Sequence, residues 1–166
     1  MGSGVGFKCS KCGKEYNANT GIGFMFPKVY KETLADVKTG KYGEEWMSLA
    51  LSEELVAVDA ERYLYICKKC GHWTVDLGLS LYAPNDPKAI MRKQYGIKTV
   101  EEWGGVPYVM SWGLEQDYHI IKRRVHKCEN CGGVMHKASD KEKSNLPCPE
   151  CGGAPKNGSQ FFINWD

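Results

Sequence analysis

All eight cysteines of this 166-residue chain occur in four C-x-x-C-G motifs, a spacing typical of metal-binding turns. Two cysteines three residues apart can direct both sulfurs at one ion, and the following glycine tolerates the positive φ of such a turn. We number these motifs hooks 1 to 4 in chain order. The predicted metal ligands are therefore Cys9 and Cys12, Cys67 and Cys70, Cys128 and Cys131, and Cys148 and Cys151.

The spacing between hooks predicts how they pair. Between Cys131 and Cys148 lie 16 residues, the separation of a compact four-cysteine zinc ribbon, whereas 54 residues separate Cys12 from Cys67. Closing the longer loop costs only roughly 1 kcal/mol more, because closure entropy grows with the logarithm of loop length. We therefore predict that hook 1 pairs with hook 2, and hook 3 with hook 4. Crossed pairings stay open.

Two facing hooks make a closed site of four thiolates, which suits Zn²⁺. Such a site has no free coordination position, so we expect two structural Zn²⁺ ions that do not activate water. Four thiolates can also hold iron, and spacing alone does not distinguish zinc from a rubredoxin-like electron carrier. A dithiol oxidoreductase is disfavoured, because the hooks are followed by glycine and short strands instead of opening a helix.

Histidines are the other residues that could bind metal or transfer protons. His72 and His126 each lie two residues from a hook, so either could replace a cysteine ligand. With four cysteines for each site, we expect them near the metal or on the surface, together with His119 and His136. No histidine has a recognisable nucleophile partner, and no phosphate-binding loop is present.

Charge and hydropathy indicate a cytoplasmic protein that does not enter membranes. No apolar run approaches the roughly 20 residues of a membrane helix, and the start "MGSGVGF" lacks the pattern of a secretion signal. Its Gly/Ser character is typical of an expression remnant. Two four-thiolate zinc sites would change the formal net charge from +2 to about −2, so the folded protein is not overtly basic.

Hydrophobic periodicity places helices and strands around the hooks. Tyr30, Leu34 and Val37 recur at helical spacing between Pro27 and Gly40, which predicts one helix, and "GEEWMSLALSEEL" predicts a second. Residues 73–81 alternate apolar and polar side chains, as a half-buried strand does. Further expected elements are a strand at "RYLYI", a helix from Asp86 that stops at Gly96, a strand from Tyr118 into the second ribbon and a last strand at "QFFINW".

These elements predict an α+β fold with two four-cysteine zinc-ribbon modules built on short antiparallel sheets. The expected first module, residues 1–82, is a ribbon that carries a helical insertion. Residues 83–117 form a helical and aromatic connection, and residues 118–166 form the C-terminal ribbon.

One basic stretch is a candidate for nucleic-acid binding. Lys122, Arg123, Arg124 and Lys127 lie just before hook 3, where they could contact phosphates. A solvated strand face explains the same residues, and the near-zero folded charge favours that interpretation.

The first 80 or so residues resemble a group of small bacterial zinc-ribbon proteins. The matching features are hook 1, "GIGFMFP", the helix after it and hook 2, and the resemblance implies zinc at Cys9, Cys12, Cys67 and Cys70. The C-terminal "LPCPECGG" is similar to zinc ribbons in general. With no catalytic constellation in view, we expect a non-enzymatic module, adaptor or regulator, that binds a protein or nucleic-acid partner.

Overall fold

The computed structural model describes residues 2–23, 25–95, 98–102 and 108–165. Five helices and eleven strands are assigned within these ranges. In chain order they are β1 (Gly2–Lys8), β2 (Glu15–Thr20), α1 (Phe26–Lys38), α2 (Glu44–Ser52), β3 (Ala57–Val58), β4 (Arg62–Cys67), β5 (Trp73–Leu77), β6 (Leu81–Pro84), α3 (Pro87–Arg92), β7 (Gln94–Tyr95), β8 (Lys98–Thr99), α4 (Ser111–Asp117), β9 (Tyr118–Lys122), β10 (Met135–Lys137), α5 (Asp140–Lys143) and β11 (Phe161–Trp165).

The chain folds as two compact units, each built from separate stretches of sequence. Unit 1 comprises Met1–Phe24, Glu61–Leu77 and Val125–Asp166, and unit 2 comprises Met25–Ala60 and Gly78–Arg124. All four hooks belong to unit 1. The chain leaves unit 1 twice and returns twice, so the units differ from the three consecutive segments expected from the sequence. No helix in the described ranges is long and apolar enough to cross a bilayer.

Unit 1 contains two antiparallel sheets of the same design. In each, a hook joins the two strands of a hairpin, and a strand that follows another hook adds beside the first strand of that hairpin. The sheet orders are β11-β1-β2, with hook 1 in its hairpin, and β10-β4-β5, with hook 2 in its hairpin. The repeat visible in the sequence as the hook alone is therefore a repeat of a whole three-stranded sheet.

A single hydrophobic core connects the two sheets of unit 1. Strand β2 contributes buried Tyr16 and Ala18, which alternate with the exposed Glu15 and Asn17, and the core also contains Phe7, Leu64 and Leu146. The Tyr16 hydroxyl donates a hydrogen bond of 2.7 Å to the Leu146 carbonyl. Tyrosine buries a large ring, and this bond satisfies its polar end.

The glycine-rich start of the chain, interpreted from its composition as an expression remnant, forms strand β1 from Gly2 onward. Strand β1 pairs with β2 on one side and with β11 on the other. A Cβ atom on Gly2 would lie 2.4 Å from the Trp165 ring, and one on Gly6 would lie 2.2 Å from the Phe161 ring. Glycine is required there because these aromatic side chains pack directly over the backbone of β1.

Unit 2 contains α1 to α4, the three-stranded sheet β3-β6-β9 and the pair β7-β8. Helix α1 has a proline in its first turn and buries Tyr30, Leu34 and Val37, which confirms the predicted stripe. Asp86 begins α3 as predicted, because its carboxylate accepts hydrogen bonds from the N–H groups of Lys88 and Ala89.

Other predicted elements differ from the structure. The strand predicted over residues 73–81 is interrupted, because Leu79 has a φ of 45° and separates β5 of unit 1 from β6 of unit 2. Strand β9 pairs with β6 instead of entering a ribbon, and β11 pairs with β1. Helix α3 ends at Arg92, and the stop predicted at Gly96 lies outside the described residues.

Candidate metal centres

The four hooks have the same backbone geometry. In each, the N–H of the first cysteine donates to the carbonyl five residues later over 2.8 Å. The N–H of the glycine that follows the second cysteine donates back to the first cysteine's carbonyl over 2.8–3.1 Å. That glycine has a φ between 68° and 75° in every hook, which L-residues with a side chain rarely adopt. The repeated C-x-x-C-G motif thus encodes one rigid turn four times.

The structure brings together different hooks from those predicted. Hook 1 meets hook 4 in the outer centre, and hook 2 meets hook 3 in the inner centre. The pairing of hook 1 with hook 2, and of hook 3 with hook 4, was therefore wrong. The outer centre contains Cys9, Cys12, Cys148 and Cys151, and the inner centre contains Cys67, Cys70, Cys128 and Cys131.

Strand pairing explains this arrangement. The segment between Cys131 and Cys148 contains β10 and α5, and β10 pairs with β4, the strand that leads into hook 2. The last strand β11 then pairs with β1 directly before hook 1. Hydrogen bonding between strands distant in sequence, which cysteine spacing does not report, selects the partners of the hooks.

The distances between sulfurs match those of a tetrahedral metal site. Sulfur atoms of facing hooks are 3.5 Å apart in the inner centre, and 3.5 and 3.8 Å apart in the outer centre. A regular tetrahedron with metal–sulfur bonds of about 2.3 Å has edges of about 3.8 Å, whereas a disulfide bond measures about 2.0 Å. Each group of four cysteines can therefore hold one metal ion.

Hooks 1 and 2 stabilise the thiolate of their first cysteine, Cys9 and Cys67. The first cysteine is buried in all four hooks, with at most 3% of its surface exposed. The backbone N–H of Cys12, assisted by that of Lys11, lowers the pKa of Cys9 to about 6. Burial opposes ionisation of Cys67, but the N–H groups of Cys70 and Lys69 outweigh it and lower its pKa to about 6.

The second cysteine of hooks 1 and 2 behaves in the opposite way. The N–H of Lys14 favours the thiolate of Cys12, yet burial and the neighbouring sulfurs outweigh it and raise the pKa of Cys12 to about 12. At Cys70 the N–H of His72 likewise favours the thiolate, but the neighbouring sulfurs and burial outweigh it and raise the pKa of Cys70 to about 12. Four thiolates this close repel one another, so the donor set is suited to a divalent cation at its centre.

A second glycine in hooks 3 and 4 lets the facing hook approach. A Cβ atom on Gly153 would lie 2.9 Å from the sulfur of Cys9, and one on Gly133 would lie 3.2 Å from the sulfur of Cys67. Hooks 1 and 2 have Lys14 and His72 at this position. The second glycine is therefore a signal of the pairing that cysteine spacing does not contain, because each centre joins one C-x-x-C-G-G hook to one hook without the second glycine.

The surroundings of the two centres differ. Cys9 and Cys148 belong to the main core of unit 1, whereas the inner cysteines pack in a smaller cluster with Tyr65 and Met135. Beside the inner cluster the ring of His126 stacks on Tyr65, with centroids 3.6 Å apart. Nδ1 of His126 lies 3.4 Å from a carboxylate oxygen of Asp76.

Neither four-cysteine group includes a histidine within the described residues. His72 takes part through its backbone carbonyl, which accepts from the N–H of Cys67. His119 contacts the Asn85 side chain in unit 2, and His136 contacts Glu142 in unit 1 over 2.8 Å.

The predicted basic stretch is divided between the units. Lys122, at the end of β9 in unit 2, forms an ion pair with Glu45. Arg123 and Arg124 are the last residues of unit 2. Lys127 belongs to unit 1, where its backbone forms an antiparallel β-bridge with Val134 on the other side of hook 3. The four cations are therefore not part of one folded unit.

Comparisons with known protein families, with curated proteins and with solved structures found no match for this chain.

Proposed function

We propose that the chain is a zinc-binding, non-enzymatic module in which two structural Zn²⁺ ions hold unit 1 together and a partner binds the folded surface. The observation that carries this proposal is that every cysteine belongs to one of two closed groups whose sulfurs have tetrahedral spacing. Because four protein ligands fill the coordination of Zn²⁺, such ions stabilise the fold and leave no position for substrate.

The location of the ligands supports a structural role. Each centre joins two stretches that are distant in sequence: Cys9 and Cys151 are 142 positions apart along the chain, and Cys67 and Cys131 are 64 positions apart. Holding such stretches together removes conformational entropy from the unfolded chain, as a crosslink does. When bound, Zn²⁺ would supply charge neutralisation among the thiolates and fixed ligand geometry.

The alternative is a rubredoxin-like iron electron carrier, and metal analysis distinguishes the two. We would purify the full chain from a medium containing both zinc and iron, measure metal content, and record the visible spectrum. Two zinc ions for each chain and a colourless protein support the proposal. Substantial iron with a red chromophore and a reversible redox wave, also present in protein from the native host, would contradict it.

The partner is a protein or a nucleic acid, and the basic stretch provides a first test. If Arg123 and Arg124 contact phosphates, the double variant R123A/R124A should bind nucleic acid more weakly, and the salt dependence of binding should decrease. If binding is unchanged at every salt concentration, this stretch is not the interface. A protein partner predicts co-purification that nuclease does not remove.

A further inference from the structure

A groove in unit 1 is not part of either metal centre. Two adjoining cavities of 350 and 370 Å³ share the lining residues Ser3, Thr20, Leu64 and Lys143, and we call them together the β1–β2 groove. The inner faces of β1 and β2 line one part of it, and α5 forms a wall. Sites of this size accommodate small ligands or a few units of an extended chain.

Phe162 lines this groove and has no role in the core. It is 84% exposed, the largest exposed fraction among the exposed large apolar side chains of the described residues. Strand alternation places it on the opposite face of β11 from Phe161, whose ring packs over Gly6. An aromatic ring that stabilises no core and stands beside a groove is a candidate for contact with a ligand.

Cations are distributed along the groove. Arg62, Lys137 and Lys143 line it, together with the acidic residues Glu61 and Asp140, so cations outnumber anions by three to two. Lys143 forms an ion pair of 2.9 Å with Asp140 at the start of α5. The Nζ atom of Lys137 lies over the Tyr63 ring, 3.1 Å from its centroid. Lys143 lines both cavities, Phe162 lines the first, and Arg62 and Lys137 line the second.

We propose that the β1–β2 groove binds single-stranded nucleic acid, with a base stacked on Phe162 and the phosphate backbone passing Lys143, Lys137 and Arg62. This inference rests on the proposed function, because it names the partner of the zinc-stabilised unit. An exposed aromatic ring beside a line of cations is the combination that single strands use, since every base has a flat face and every nucleotide a phosphate. A duplex hides the faces of its bases, so Phe162 could not stack on them.

The test is a fluorescence-anisotropy titration of the zinc-loaded full chain against a labelled 20-mer of deoxythymidine, at 50 and 200 mM salt. Three phosphate contacts predict that affinity falls roughly 20-fold between these concentrations. F162A should weaken binding about tenfold, through loss of stacking. K143A should reduce the salt dependence by about one contact. K141A is the matched control, because Lys141 is an exposed lysine of the same helix outside the groove lining, and it should leave binding unchanged.

Three results would overturn the proposal. The first is no binding by protein that contains two zinc ions, and the second is binding that F162A and K143A leave unaltered. The third is equal binding of a labelled polyglutamate 20-mer, which would indicate an acidic-peptide site or a general polyanion effect. W112A, which removes an exposed aromatic ring outside the groove lining, controls for nonspecific loss of aromatic surface and should leave binding unchanged.

Metal content measured on the same samples separates this proposal from the general one. Two zinc ions with no oligonucleotide binding overturn the groove proposal and leave the zinc module intact. Absence of zinc contradicts the proposed function itself.

Discussion

The outer and inner centres share one turn geometry but have different surroundings. The outer centre joins the two ends of the described chain, and its buried cysteines belong to the main core beside Phe7 and Leu146. The inner centre contributes to a smaller cluster with Tyr65 and Met135. The local motif determines how each hook presents its sulfurs, whereas the packing around the two centres differs, and we expect the fold to depend more on a metal in the outer centre.

Loss of a buried ligand should therefore be more damaging in the outer centre. C148S and C128S should each reduce the zinc content from two ions to one. Because structural zinc contributes about 10–16 kcal/mol, comparable to the whole stability of a domain, C148S should disrupt the main core of unit 1. C128S should disrupt the smaller inner cluster and retain more of that core. Zinc analysis with circular dichroism and thermal melting checks this order.

A lower melting temperature for C128S than for C148S would contradict the ranking. C12S and C70S provide the matching comparison, because they replace the exposed second cysteines of hooks 1 and 2. Any loss of the core in these variants follows from the lost metal ligand and not from a lost buried side chain.

Substitution of the second glycine of hooks 3 and 4 compares the two centres through a smaller change than loss of a cysteine. A Cβ atom on Gly153 would be 2.8 Å from Cβ of Lys11 and 2.9 Å from the Cys9 sulfur, whereas one on Gly133 would meet its nearest atom at 3.2 Å. G153A should therefore lower the stability of the zinc-bound fold by about 1–3 kcal/mol, because the added methyl group overpacks the centre. G133A should lower it less. Competition for zinc with a chromophoric chelator measures both. Equal zinc retention in the two variants would show that the hooks adjust to the added methyl group.

Tyr16 connects the outer centre to the core and should show the smallest effect. Y16F removes the hydrogen bond to the Leu146 carbonyl and should destabilise unit 1 by about 1 kcal/mol. Denaturant unfolding at neutral pH measures this difference. If Y16F unfolds with the same free energy as the wild type, water replaces the hydroxyl at the Leu146 carbonyl.

Alkaline pH sharpens the same prediction. Burial, together with the negative charge of the neighbouring cysteines, raises the pKa of Tyr16 from 10.0 to about 12. The protonated phenol is therefore favoured in the folded state, and its contribution is fully present below pH 10 and lost as the pH rises through about 12. The stability difference between the wild type and Y16F should shrink over this interval. A difference that stays constant from pH 9 to 12 would contradict the raised pKa.

The sequence predicted individual helices, caps and turns, but it did not predict which strands and hooks pair with one another. Helix α1 and the cap at Asp86 follow from periodicity and side-chain chemistry within a few residues, and the structure has both. The hook turns follow from the C-x-x-C-G motif for the same reason. These features depend on interactions between residues close in sequence.

The pairing of the hooks depends on contacts between residues far apart in sequence. The partner of β1 is β11, at the other end of the chain, and the glycines of β1 are explained only by the rings of Phe161 and Trp165. The strand predicted at β5 was too long because the alternation continues through Leu79, whereas β5 ends at Leu77 and Leu79 has a positive φ. Only the second glycine of hooks 3 and 4 pointed toward the observed pairing.

The most direct test of the two centres is to load the intact chain with ¹¹³Cd in place of the proposed zinc and record proton–cadmium correlations to the cysteine side chains. The account predicts two cadmium signals. One should correlate with Cys9, Cys12, Cys148 and Cys151, and the other with Cys67, Cys70, Cys128 and Cys131. A signal that correlates with the cysteines of hooks 1 and 2 together would contradict the arrangement of both metal centres.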